Sequence, residues 1–225
     1  KVFASKDKIY IGESYVKYKL FSNTYLKAGK YYKDFSSYLN ETLSSGSLLI
    51  SNNAEPMPKI GLLSSYKFKQ SQNFNFNFGI SHGLFAKSAI YKTPPMLHEK
   101  FVYLNYSKNQ NDFGIGFVHE AMWGGSTDED GKFSTSYKDF LKIFISADGP
   151  LLDGQPHANA LGNHLGIWDF YYKKTVNSKE LKFYYQHFFE DTSGLRFDNK
   201  SDGLWGIELS NYTKNTNFLL EYLNT

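Results

Sequence analysis

Polar and apolar residues alternate along this chain in short segments separated by turns. The clearest segment runs from Asn73 to Ile80 and reads Asn-Phe-Asn-Phe-Asn-Phe-Gly-Ile, so every second side chain is large and apolar. Alternation with a period of two predicts a β-strand with one apolar face. In the other segments the second face repeatedly holds Lys, Glu, Gln, Asn or Gly instead of a second apolar core.

The alternating segments predict about ten strands joined by short polar turns or by longer loops. The predicted strands are Ile9 to Phe21, Thr24 to Phe35, Pro58 to Lys69, Asn73 to Ala86, Lys100 to Tyr106, Asn111 to Trp123, Leu165 to Thr175, Lys179 to Glu190, Asp202 to Tyr212 and Asn217 to Leu223. Most have the length of a tilted membrane strand, about 9 to 11 residues. A sheet in a sandwich can also leave one face wet. The lengths favour an all-β fold, an antiparallel transmembrane β-barrel with apolar side chains facing lipid and polar ones facing inward.

Longer loops are predicted at residues 36–57, 88–99, 124–162 and 191–201, and the longest of them contains one short helix. Four apolar residues lie at helical spacing there, behind Ser134 or Ser136 as the N-cap and before Gly149-Pro150. They are Tyr137, Phe140, Leu141 and Phe144. No repeat or low-complexity linker divides the chain, so a single domain over residues 1–225 is predicted.

Composition supports the barrel and narrows the classes of function. Aromatic residues make up 18% of the chain, more than in ordinary soluble domains, and aromatic girdles are typical of membrane barrels. An AT-rich genome would produce part of the same bias. The net charge is +3 and Arg196 is the single arginine, which argues against a nucleic-acid partner. With no cysteine, disulfides, thiolate metal sites and cysteine nucleophiles are excluded.

Five longer strings carry a family resemblance. They are GSLLISNNAEPMPKI at 46–60, FVHEAMWGG at 117–125, LGNHLGIWDF at 161–170, YYQHFFEDTSGLRFDNKSDGLWGIEL at 184–209 and LEYLNT at 220–225. In this order and spacing they resemble the Wzi-type capsule assembly family over most of the chain, in a version similar to those of Bacteroidetes.

The resemblance implies a location, a fold and a function. The family fold is an outer-membrane β-barrel of Gram-negative bacteria, with eighteen antiparallel strands in its best described member, so about ten strands predict an incomplete portion. The implied function is to bind or position capsular polysaccharide at the cell surface, with no bond making, no enzyme activity and no cofactor. The implied partners are capsular or other surface polysaccharide, outer-membrane lipid and other envelope proteins.

Sugar binding requires hydrogen-bonding groups and aromatic faces against which pyranose rings pack. If the apolar face meets lipid, the inward set comprises Lys17, Lys19, Lys27, Glu120, Asp169, Lys182, Gln186, Glu190, Glu208 and Glu221. The predicted ligand-binding residues are Trp123, Glu120, Asp169, Gln186, Glu190 and Glu208. A solvated lumen with ion pairs is the plain alternative for the polar residues, and interface anchoring is the alternative for Trp123, Trp168 and Trp205.

The candidate catalytic and metal-binding motifs in this sequence are incomplete. The string from His119 to Trp123 begins like the zinc-protease motif, but Trp123 takes the place of the second histidine. The six histidines are scattered without a paired helical or hairpin spacing, so a metal site could come only from the fold. Glu190 and Asp191 are adjacent in a predicted strand and so face opposite ways, unlike a glycosidase pair, although one of them could pair with Asp169 or Glu208. Two alternatives stay open: an accessory subunit of an outer-membrane complex, and a soluble β-sandwich enzyme acting on carbohydrate.

Overall fold

Most of the chain forms antiparallel β-structure. The structure is a computed structural model that describes residues 2–4, 9–150, 160–190, 192–198, 200–213 and 216–225. In chain order its strands are β1 (Val2–Ala4), β2 (Ile9–Ile11), β3 (Ser14–Phe21), β4 (Thr24–Tyr31), β5 (Met57–Lys67), β6 (Phe74–Leu84), β7 (Met96–Lys108), β8 (Asn111–Trp123), β9 (Ser126–Thr127), β10 (Gly131–Lys132), β11 (Asn163–Val176), β12 (Lys179–Phe189), β13 (Gly203–Thr213) and β14 (Thr216–Asn224). The helices are α1 (Tyr137–Ile145) and α2 (Thr192–Leu195).

Ten of the strands form one sheet, in the order β14-β13-β12-β11-β8-β7-β6-β5-β4-β3. All nine pairings in it are antiparallel. The remaining strands form two small hairpins, β1-β2 and β9-β10. The predicted all-β fold with about ten antiparallel strands is therefore confirmed. The sheet is open in the described residues, with β3 and β14 as its edges.

The connections in the large sheet divide sharply by length. The connections that follow β3, β7, β11 and β13 have two residues each between the strands, as between Phe21 and Thr24 or between Lys108 and Asn111, and the connection that follows β5 has six. Every second connection is long, at residues 32–56, 85–95, 124–162 and 190–202. Because the strands are antiparallel, all short turns lie at one end of the sheet and all long loops at the other. We call these the short-turn end and the long-loop end.

The two faces of the sheet have opposite chemistry, as the alternation predicts. One face, the outer face, exposes large apolar side chains that we call the outer apolar band. They include Val16, Tyr18, Leu20, Ile60, Leu62, Tyr66, Phe78, Leu104, Phe113, Ile115, Phe183, Trp205, Ile207, Phe218, Leu220 and Tyr222. The opposite, inner face buries charged and polar side chains, among them Lys27, Lys59, Glu99, Asp169, Lys182, Gln186 and Glu208. This inverts the distribution of an ordinary soluble protein.

Helix α1 lies where the sequence predicts it, but it ends earlier. The Ser136 hydroxyl accepts a hydrogen bond from the Asp139 amide, which caps the helix start. The helix ends at Ile145 instead of continuing to Gly149-Pro150, because Ser146 adopts a left-handed conformation at φ 54° and terminates it. The four-residue α2 is a second, unpredicted helix. Among the described residues, no helix is long and apolar enough to cross a membrane.

Aromatic rings of the inner face lie flat over glycines of the neighbouring strand. A Cβ added to Gly206 would lie 2.0 Å from the Tyr184 ring, and one added to Gly116 would lie 2.2 Å from the Tyr103 ring. Gly206 is directly opposite Tyr184, and Gly116 is directly opposite Tyr103. Because glycine has no side chain, each ring has room to lie over the neighbouring strand. This packing keeps the Tyr184 hydroxyl 2.5 Å from Glu221 Oε1. Glycine is therefore required at these positions by the ring that covers it.

We expect Gly206→Ala to destabilise the fold by about 1–3 kcal/mol, because the methyl group must displace the Tyr184 ring. The midpoint of urea unfolding in detergent measures this loss. Gly131→Ala is the control for backbone strain without a clash: nothing lies within 4 Å of an added Cβ there, and the positive φ alone costs an alanine about 1–2 kcal/mol. Equal midpoints for Gly206→Ala and the unaltered protein would contradict this account of the packing.

Candidate functional site

The inner face of the sheet is filled by a part of the chain itself. Residues 35–52, which we call the inner segment, belong to the first long loop and contact this face. Phe35 joins a buried cluster with Phe101, Tyr103, Val118 and Ile167. Leu39 forms a second cluster with Tyr184 and Leu204. The inner face, for which a solvated lumen is one expectation, is thus covered by the chain itself where these contacts form.

Asp169 is the centre of the polar network that holds the inner segment. Its side chain is fully buried, and its Oδ2 accepts hydrogen bonds from Ser36 Oγ at 2.5 Å and from Tyr103 Oη at 2.6 Å. The Tyr38 hydroxyl donates to Oδ1. Burial, followed by the nearby charge of Asp169, raises the pKa of Tyr38 well above its ordinary value. Tyr38 therefore keeps its proton and stays a donor at neutral pH.

Gln186 lies opposite Asp169 on β12 and extends the network. Its amide nitrogen donates to Ser36 Oγ and Tyr38 Oη, both at 3.1 Å, and its Oε1 accepts from the Leu48 amide at 2.9 Å. The side-chain amide thus contacts both the beginning and the middle of the inner segment.

Glu208 and Glu221 hold the segment further along the sheet. Glu208 accepts from Asn40 Nδ2 at 3.0 Å and pairs with Lys182 at 2.9 Å. Glu221 accepts the Ser45 amide at 2.9 Å. Both carboxylates thus have partners from the inner segment and from β12, as buried polar groups require.

The five polar residues among the predicted ligand residues are therefore placed in three different settings. Asp169, Gln186 and Glu208 come together, but their hydrogen-bonding groups are engaged by the chain's own inner segment. Glu120 is buried directly across from Glu99, and its Oε1 has no hydrogen-bond partner in the described part of the chain. Glu190 follows the end of β12 and is exposed.

Of the other predicted inward residues, Lys27 and Lys182 are buried, whereas Lys17 and Lys19 are exposed. Lys17 borders a cavity of about 300 Å³ between the inner segment and the short-turn end. Its lining mixes hydroxyl, amide and aromatic groups, including Tyr25, Ser37, Asn77 and Tyr171. Sequence reasoning missed this cavity, because it exists only where the inner segment meets β3 to β7 and β11.

Trp123 lies in a second cavity, of about 440 Å³, at the long-loop end. The residues around it come from the ends of strands and from two long loops, and include Tyr91, Phe133, Ser134, Asp139 and Asn163. The Trp123 ring lies 5.1 Å from the Phe140 ring of α1. Its indole N–H is buried and has no acceptor among the described residues. An aromatic wall with a free donor and neighbouring hydroxyl, amide and carboxylate groups is chemically suited to a sugar.

The polar side of this cavity is anionic. The Asp139 carboxylate accepts hydrogen bonds from the Ser134 and Ser136 hydroxyls. These bonds, Ser134 first, lower the pKa of Asp139, so the group is charged at neutral pH. The cavity therefore pairs a fixed negative charge with the indole N–H of Trp123.

The other two tryptophans have their N–H groups satisfied locally. Trp168 donates to the Leu195 carbonyl at 3.2 Å, and Trp205 donates to the Ser201 carbonyl at 3.1 Å. Both lie on the outer face, and Trp205 is 42% exposed within the outer apolar band. Their positions suit interface anchoring and separate them from Trp123.

Histidines that look scattered in the sequence gather beneath α1. His82, His98 and His164 belong to one row of paired residues across β6, β7, β8 and β11, and His119 Nε2 lies 2.9 Å from His164 Nδ1. The fold therefore brings together histidines whose spacing in the sequence shows no pairing, since His82 is directly opposite His98. His157 lies outside the described residues. Among those described, no group of three or more His, Cys, Asp or Glu residues could hold a metal ion.

Comparisons with known proteins identify a family. A family model described as capsule assembly protein Wzi matches residues 3–225. Neither the curated proteins nor the solved structures give a match.

We expect Asp169→Ala to release the inner segment, because three hydroxyl groups lose a buried charged acceptor at a cost of about 3 kcal/mol. Limited proteolysis followed by mass spectrometry should show new cleavage within residues 36–52. Asp112→Ala is the control, since Asp112 pairs with Lys173 at 3.1 Å on a partly exposed site, where a pair contributes about 1 kcal/mol or less. Unchanged protease resistance of the Asp169 variant would show that the segment is held by other contacts.

Proposed function

The chain belongs to the capsule assembly protein Wzi family, and from this membership we propose that it is an outer-membrane β-barrel that binds or positions capsular polysaccharide. Family membership over nearly the whole chain is the observation that carries the proposal. It suggests a role in capsule assembly at the cell surface. The membrane location, the closed barrel and the glycan contacts are our proposal, and the following features support them.

The inverted faces of the sheet support a membrane location. A band of exposed Phe, Leu, Ile, Val, Tyr and Trp on one face, with buried charges on the other, is stable where lipid covers the apolar face. A β-sandwich would bury such a face against a second sheet, but only two-stranded hairpins accompany the large sheet in the described residues. This weighs against the soluble enzyme alternative.

The arrangement of the connections gives the barrel an orientation. Membrane barrels have short turns on the periplasmic side and long loops outside the cell. In this orientation the Trp123 cavity and α1 lie toward the cell surface, where capsule is found. The edge strands β3 and β14 would pair with each other or with further strands, because unpaired backbone groups are costly in lipid.

The Trp123 cavity is the proposed glycan contact. Its volume of about 440 Å³ admits a sugar ring, Trp123 and Tyr91 provide aromatic surface, and Ser134, Asp139 and Asn163 provide hydrogen-bonding groups. The interior residues Asp169, Gln186 and Glu208 contribute indirectly in this proposal, since they hold the inner segment.

A second candidate function rests on the filled interior. Because the inner segment engages Asp169, Gln186 and Glu208, these residues have a sufficient structural role without any glycan. This favours an accessory subunit of an envelope complex more than an interior polysaccharide channel. Co-purification of a stable partner in mild detergent, together with absent glycan binding, would favour this candidate over direct capsule binding.

The membrane assignment is tested first on the protein as the cell produces it. We expect the unheated sample to migrate faster than the boiled sample on a denaturing gel, because a closed barrel resists detergent until it is heated. Extraction from membranes should also require detergent. Detergent-free solubility with no heat-dependent shift would overturn the barrel.

The glycan contact is tested by substitution of Trp123. We expect Trp123→Ala to bind immobilised capsular polysaccharide about tenfold more weakly, because it loses an aromatic stacking surface worth about 1 kcal/mol or more. Trp123→Phe should be intermediate, since it keeps a ring but loses the N–H. Trp205→Ala is the control, because this ring lies in the outer apolar band. All variants should show the same heat shift, and undiminished capture by Trp123→Ala would refute the assignment.

A further inference from the structure

Helix α1 packs against the outer face of the sheet, above the outer apolar band. Phe140 lies 5.5 Å from the His82 ring and 5.6 Å from the His98 ring, and Phe144 lies 5.2 Å from His98. The Lys100 ammonium donates to the Phe144 carbonyl. These sheet residues share the face of Phe78 and Leu104, so the helix covers the same face that the band occupies.

The chemistry of the outer face changes at the helix. The row formed by Phe78, Val102 and Phe117 is apolar, whereas the next row toward the long-loop end contains Lys100 and His119. Lys and His side chains are costly in hydrocarbon. The apolar surface that lipid tails could cover therefore ends at the row beside α1.

One side of α1 nevertheless remains apolar and exposed. Tyr137, Leu141 and Ile145 follow each other at intervals of four residues, with exposed fractions of 76%, 46% and 69%. Residues spaced by four lie on one stripe of a helix. We call these three residues the α1 stripe.

The residues on the opposite side of α1 show where the α1 stripe points. Asp139 and Ile143 line the Trp123 cavity at the ends of the strands. At about 100° per residue, the stripe lies about 180° around the helix from that flank. It therefore points along the outer face toward the outer apolar band rather than toward the long-loop end.

We propose that α1 is an interfacial helix that rests on the outer leaflet, with the α1 stripe among the upper parts of the lipid chains. Lys138 is exposed and lies next to the stripe, and Lys142 follows one turn later. An apolar stripe bordered by lysines is the pattern of helices that lie in an anionic membrane surface. The occupant is the phosphate-bearing lipid surface, and the helix fixes the height of the Trp123 cavity above it.

This inference rests on the proposed membrane barrel, and the test separates the two. Because the chain has no cysteine, single labelling sites can be introduced without removing native ones. Leu141→Cys reports the α1 stripe, Ile115→Cys reports the outer apolar band, and Glu129→Cys reports an exposed turn of the same long loop. Each variant carries an environment-sensitive fluorophore in phosphatidylcholine–phosphatidylglycerol vesicles that contain nitroxide-labelled lipid.

The expected result has three parts. The Leu141→Cys label loses fluorescence to nitroxides near the headgroup, the Ile115→Cys label loses it to nitroxides deep in the chains, and the Glu129→Cys label is unaffected. Quenching at Ile115→Cys without quenching at Leu141→Cys overturns the interfacial helix and leaves the barrel standing. Deep quenching at both sites also overturns it, since the helix would then lie within the hydrocarbon. Absence of quenching at both sites overturns the barrel itself.

A charge variant tests the role of the lysines. We expect Lys138→Gln with Lys142→Gln to reduce headgroup quenching of the Leu141→Cys label when phosphatidylglycerol is present, because each lysine near an anionic surface is attracted to it. The same variant in pure phosphatidylcholine should match its parent. Equal quenching of variant and parent in the anionic vesicles would remove phosphate recognition from the proposal.

Discussion

In an extended strand, neighbouring side chains must point to opposite faces, and the rest of this structure depends on that constraint. Ten paired strands add their alternating residues into two continuous surfaces, one apolar and one polar. Register keeps the two surfaces distinct, because a slip of one residue would move the inner-face lysines and glutamates of a strand onto the outer face. The outer apolar band and the buried inner network are thus two results of one geometry.

A polar inner face creates a second requirement, since buried charges and amides must find partners. Lysine–glutamate pairs between strands meet part of it, as in Lys182 with Glu208. The inner segment meets much of the rest, because its hydroxyls and amides reach Asp169 and Gln186. Aromatic rings over glycines fill the space between. The filled interior therefore has an energetic reason that is independent of any ligand.

The function proposed for the chain depends on what lies at the long-loop end. There the outer face changes from apolar to histidine- and lysine-containing, and α1 covers the change. The same helix lines the cavity that contains Trp123 and presents its stripe on the opposite flank. Membrane contact and glycan contact would then be properties of two flanks of one helix. Such an arrangement would hold capsule close to the lipid surface, as a role in capsule assembly requires.

The sequence by itself determined most of the strands, their faces and the helix start, because these follow from local periodicity and capping. It did not show that the predicted strand Ile9 to Phe21 is divided into β2 and β3, or that β7 begins at Met96. It also carried the family resemblance, which the family match confirms. Only the tertiary structure decided that Asp169, Gln186 and Glu208 hold the inner segment. Their partners are more than 130 residues away in the chain, at Ser36, Leu48 and Asn40.

The clustering of His82, His98, His119 and His164 could not be predicted from the sequence either. The register of strands that are joined by long loops has no local sequence signal. Loop lengths of ten residues or more leave the pairing offset open until the whole sheet assembles. For the same reason the sequence placed Trp123 at the end of a predicted strand, next to the longest loop, but gave no sign of the cavity around it. Local periodicity fixes which face a residue takes, and contacts between distant segments fix what it meets there.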